Sequence, residues 1–121
     1  MAAKVLVIDD SFVVRQTVIQ ALAGGGFVIV EAVDGLDGLQ KLVESPDTRL
    51  IVCDVNMPRM GGLEFLEEMG KTTAAKPPVM MLTTEGQPEL IARAKTLGAR
   101  AWMVKPFKRE ILLAAVRKLA A

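Results

Sequence analysis

Asp9, Asp10 and Asp54 stand where apolar stretches of this sequence stop, in KVLVIDD (4–10) and LIVCD (50–54). Two further apolar runs also end on polar residues, PVMML (78–82) at Thr83 and Thr84, and AWMV (101–104) at Lys105. Carboxylates crowded at one place repel one another and resist ionising together unless a cation sits among them. Oxygen donors of this kind suit Mg²⁺, a hard ion that keeps much of its water and needs few protein ligands. Lys105 would add a compact second positive charge, and Thr83 a hydroxyl donor. Two positive centres and a donor around one carboxylate suit attack of that carboxylate on phosphorus, because the new phosphoryl oxygens need neutralising.

Such chemistry requires a fold that gathers five distant residues. The apolar runs KVLVI, FVIVEA, LIVC, PVMML and AWMV are continuous rather than alternating, as expected of strands covered on both faces. Between them lie segments with helical spacing, such as Val14, Val18 and Leu22, or Leu90, Ala94 and Leu97, and FKREILLAAVRKLAA closes the chain as an amphipathic helix. The order is (βα)5, which predicts an α/β domain with a parallel sheet, helices on both sides and right-handed crossovers. In such a sheet the carboxyl ends of all strands lie on one edge, where ligands bind as the strand order reverses. The polar stops therefore converge.

Bulk composition narrows the function further. With 121 residues, 51% of them hydrophobic, residues 1–121 are expected to form one domain around one core. Fifteen basic against fourteen acidic residues argue against broad binding to nucleic acid or an anionic membrane. From Met81 onward, however, there are eight Lys/Arg and three Asp/Glu, a charge of +5, whereas the preceding residues, with seven and eleven, carry −4. A basic face in the last third would favour an acidic partner. Histidine is absent, which removes His-based acid/base chemistry and His-ligated metals. The lone Cys53 leaves no internal disulfide, fits a reducing compartment and reads as a core residue; MAAKVLVIDD is neither a signal peptide nor a membrane span. A cytoplasmic location is expected. AGGGF lacks the Lys-Ser/Thr of a phosphate-binding loop and reads as a helix stop.

The motifs VIDDS (7–11), CDVNMPRMGG (53–62), MLTT (81–84) and VKPF (104–107), in this order and each at a strand end, resemble the signature of bacterial two-component response-regulator receiver domains along essentially the whole chain. The resemblance implies a flavodoxin-like fold with strand order 2-1-3-4-5. It makes Asp54 the acceptor of a phosphoryl group from a histidine kinase's phosphohistidine. Asp10 and Asp54 would bind Mg²⁺ by side chain, Asp9 directly or through water, and the backbone carbonyl of Asn56 would complete the protein ligands. Thr83 and Lys105 would hold the phosphoryl oxygens, and Lys105-Pro106 matches a position that is typically cis. Asn56 and Glu85 fall where receivers tune the phosphoryl lifetime, and Trp102 falls where they usually carry a switching Tyr, Phe or His. An indole there is bulkier than the usual ring and has a single donor, a departure from the family's pattern. Such a domain is a signalling acceptor rather than an enzyme, its only reactions being self-phosphorylation from phosphodonors and autodephosphorylation.

Rival readings of the same residues fail on chemistry. A flavodoxin-type electron carrier needs a hydroxyl-rich phosphate loop where this chain has DDSF, and an aspartate-nucleophile phosphatase needs a second acid where Asn56 stands. The stretch MLTTEGQPELIARAKTLGARAWMVKPF is similar to chemotaxis regulators of the CheY type. That similarity implies a monomer with a CheA-like kinase or a phosphotransfer domain as donor and a flagellar motor switch protein as target. The alternatives are a phosphorelay shuttle, a receiver excised from a longer regulator, and a degenerate binding module that works without phosphorylation.

Overall fold

The structure, a computed structural model, describes residues 2–72, 76–84 and 86–121. Its five strands are β1 (Lys4–Ile8), β2 (Val28–Ala32), β3 (Thr48–Asp54), β4 (Val79–Thr83) and β5 (Ala101–Val104). They alternate with α1 (Phe12–Leu22), α2 (Gly35–Glu44), α3 (Gly62–Gly70), α4 (Pro88–Thr96) and α5 (Arg109–Ala120), and one 3-10 turn, Ala23–Gly25, follows α1. All neighbouring strands pair in parallel, in the order β2-β1-β3-β4-β5. This is the flavodoxin-like α/β arrangement expected from the sequence.

Strand parity sorts the apolar side chains into two layers. Val5, Val7, Leu50, Val52, Met80 and Leu82 meet Val18, Leu22, Leu112 and Val116, so α1 and α5 cover one face of the sheet. Leu6, Ile8, Ile51, Cys53, Val79 and Met81 meet Phe65, Leu66, Met69 and Ala94, with Leu39, Leu42 and Trp102 packed at the edge, so α2, α3 and α4 cover the other. Both faces of β1, β3 and β4 are therefore buried, which is why their sequences read as unbroken apolar runs. Phe65, 0% exposed, anchors α3, and its burial contributes roughly 2–3 kcal/mol.

The apolar run LIVC lies inside a longer strand that ends, as expected, at Asp54. Strand β3 begins two residues earlier, at Thr48, and its backbone ladder continues through Asp54, which pairs with Leu82. A ladder is made by main-chain groups, so a charged side chain at its last rung does not end it. None of the described helices is long and apolar enough to cross a membrane.

Candidate functional site

Four strand ends deliver the polar residues to one edge of the sheet. Asp9 follows β1 directly, Asp54 and Thr83 are the last residues of β3 and β4, and Lys105 follows β5. Behind β1 the chain turns at once into α1, because Ser11 caps that helix by accepting the Val14 N–H at 3.3 Å. The Ser11 N–H in turn donates to Asp9 Oδ1 at 2.9 Å, which fixes the buried carboxylate, while the adjacent Asp10 is exposed. After β3 the chain leaves through a tight turn that ends at Gly62. No side chain fits there: a Cβ on Gly62 would lie 2.7 Å from Met81 Cε and closer still to the Asp54 carbonyl.

Lys105 Nζ lies 3.1 Å from Asp54 Oδ1 and 3.5 Å from Asp9 Oδ2. Its backbone N–H donates to the Thr83 carbonyl at 2.7 Å, locking the ends of β4 and β5 together, and the Lys105-Pro106 bond is cis. One carboxylate oxygen from each of Asp9, Asp10 and Asp54 lies within 4.8 Å of the others. Three potential negative charges thus lie together, with Lys105 against two of them. A cluster of hard oxygen donors with this charge surplus fits a divalent cation held by the three aspartates.

Burial raises the Asp54 carboxyl above the ordinary carboxylate range; the negative Asp9 adds to the rise, and Lys105 opposes it. Asp9 is raised for the same first reason, with the Ser11 N–H and Lys105 pulling it back. The Cys53 thiol is pushed far up by complete burial beside these acids, so it stays neutral, with its S–H donated to the Asp54 carbonyl at 3.3 Å.

Asn56 is exposed and lines an open cleft of about 430 Å³ with Asp10, Pro58, Gly61 and Glu64. Thr83 is 0% exposed. Trp102 sits half-buried on the α2/α3/α4 side of β5, and its buried Nε1–H has no hydrogen-bond acceptor among the described residues. Glu85 lies outside the described residues.

Three ionic residues at the site's margin escaped the sequence reading. Arg15 donates from Nη1 to the Asp9 carbonyl at 2.7 Å and from Nε to Glu31 at 3.1 Å, bracing the acid pair from α1. Arg59 and the buried Asp34 join the turn after Asp54 to the loop before α2. Only the Arg15 signal was available in the chain, as a cation one helical turn after Ser11.

The profile of the response regulator receiver domain family matches residues 5–117. The chain belongs to that family. This receiver is 33% identical to the chemotaxis protein CheY1 of Helicobacter pylori over 111 residues, 90% of each chain. It superposes on Vibrio cholerae CheY4 with a TM-score of 0.89 at 38% identity, covering 98% of this receiver and 99% of that chain. A chain of the CheX-CheY-BeF3-Mg²⁺ complex from Borrelia burgdorferi superposes with a TM-score of 0.90 at 26% identity, covering 98% of this receiver and 90% of that chain.

Proposed function

We propose that this receiver accepts a phosphoryl group on Asp54 from a histidine kinase and signals by altering a protein-binding face. One contact supports this reading above all: the Lys105 ammonium, 3.1 Å from Asp54 and 3.5 Å from Asp9, two members of a cluster of three carboxylates. An Asp54 oxygen attacks phosphorus, the P–N bond of the phosphohistidine breaks, and the imidazole leaves. Lys105 remains beside the acyl phosphate and neutralises a phosphoryl oxygen, and the Thr83 hydroxyl donates to another. Asp10, Asp54 and the Asn56 carbonyl would hold Mg²⁺, with Asp9 direct or through water, and the ion supplies positive charge and a template for the phosphoryl oxygens.

The names of the relatives favour chemotaxis, with a CheA-like kinase or a phosphotransfer domain as donor. A flagellar motor switch protein or a CheX-like protein would read the phosphorylated form. We read residues 1–121 as a single receiver, and Asn56 and Glu85 as the residues that keep the acyl phosphate short-lived by leaving water access to it. Acetyl phosphate tests the chemistry without a kinase. Label should enter the wild type only with Mg²⁺ and be absent from Asp54→Asn, and equal, hydroxylamine-resistant labelling of that variant would overturn the assignment.

A further inference from the structure

The turn between β3 and α3 contains a residue whose backbone is out of place for its type. Arg59 has φ of 66°, the left-handed region that L side chains rarely adopt, and among the described non-glycine residues it stands alone in this. Glycine would take this conformation freely, so what arginine adds is its side chain. That side chain, 60% exposed, reaches Asp34, 4% exposed, with Nε donating to Oδ2 at 2.6 Å. Exposed ion pairs usually contribute little, but a buried carboxylate without its partner is costly, so Asp34 holds Arg59 firmly. Asp34 is itself fixed, since its Oδ1 accepts the Asp37 N–H at 2.9 Å as the cap of α2.

A second link runs in parallel. The Gly35 N–H donates to the Met60 carbonyl at 2.9 Å, and the approach is so close that a Cβ on Gly35 would lie 2.5 Å from Met60 Cγ. The far end of the turn is closed by the Gly62 N–H, which donates to the Val55 carbonyl at 2.9 Å. Asn56, the residue whose carbonyl would face the cation, lies inside this frame, three residues before Arg59.

We propose that Asp34 and Arg59 are positioning residues: their ion pair clasps the turn after Asp54 to the loop before α2 and so sets the Asn56 carbonyl for the cation. The clasp rests on the Mg²⁺ reading given above. Losing a partner that orients a ligand lowers metal affinity by roughly 10-fold or more.

Mg²⁺ titration by calorimetry, with no phosphodonor present, tests this together with a thermal melt of each protein. Arg59→Gly keeps the left-handed backbone without strain and should bind Mg²⁺ roughly 10-fold more weakly than the wild type while melting close to it. Arg59→Lys restores a cation and should recover part of the loss. Asp34→Asn combined with Arg59→Gly should bind no more weakly than Arg59→Gly alone, because both remove one contact. Unchanged Mg²⁺ affinity in Arg59→Gly would overturn the clasp, and this variant decides even where Asp34→Asn fails to fold. A wild type that binds no Mg²⁺ would instead take down the cation reading on which the clasp rests.

Discussion

Asp54 and Asp9 are 7% and 3% exposed, so ionising both costs more in the folded protein than in the unfolded chain, and both carboxyls are held above their ordinary values. The folded state then keeps protons that the unfolded chain has already released. The stability associated with this pair is complete below the ordinary carboxylate pKa of about 3.9 and is lost as pH rises through the raised folded values. Asp34 behaves in the opposite sense: burial alone would raise it, but Arg59 and the Asp37 N–H prevail and hold it low, so its contribution is present at neutral pH and lost on acidification. Comparison with Asp54→Asn isolates the first effect. Without Mg²⁺, that variant should melt above the wild type at pH 7, and the gap should close toward pH 4; parallel melting curves across this range would contradict the account. The types and spacing of Asp9, Asp10, Asp54 and Lys105 were legible in the sequence because each interrupts an apolar run. The roles of Asp34 and Arg59 were not, since an ion pair between two loops depends on a left-handed turn that no local pattern announces.

Among the elements, the end of β4 and the short β5 hold Thr83 and Trp102, the residues proposed to transmit phosphorylation. Trp102 and Met81 are register partners on the α2/α3/α4 face, while Thr83 pairs with Val104 two rungs on, so the hydroxyl at the site and the indole sit on adjacent strands. The buried Nε1–H of Trp102 lacks an acceptor among the described residues, a cost that a rearrangement could relieve. Phosphorylation that draws the Thr83 hydroxyl toward the site would shift the indole between environments, and only an equilibrium whose states differ in energy responds in this way. Mg²⁺ with beryllofluoride, which mimics the phosphoryl group, should therefore change Trp102 fluorescence in the wild type and much less in Thr83→Ala. Identical responses would remove Thr83 from the coupling. Strand positions were readable because both faces of the sheet are apolar. The early start of β3 was not, because Thr48 and Arg49 join by main-chain pairing that their side chains do not advertise.

Across the whole molecule, the first two thirds of the chain, at −4, supply the acidic cluster at the sheet edge, and of the cations in the last third, at +5, Lys105 turns in to that cluster while others stay in solvent. Lys95, Arg100, Lys108, Arg109, Arg117 and Lys118 are all exposed, spread from α4 through the approach to β5 and along α5. A partner that reads some of these cations should carry acidic groups. Its affinity should fall by at least several-fold between 50 and 500 mM salt, roughly the range over which the screening length shrinks from above 10 Å toward 4 Å. A salt-independent interaction would point to a different surface. If Asp54 carries the phosphoryl group, as proposed, the acyl phosphate can be trapped where it forms. Borohydride reduction after acetyl phosphate treatment, followed by peptide mapping, should convert residue 54 to homoserine in the Mg²⁺-containing sample alone. Homoserine at Asp9 or Asp10, or none at position 54 in protein that has taken up label, would contradict it.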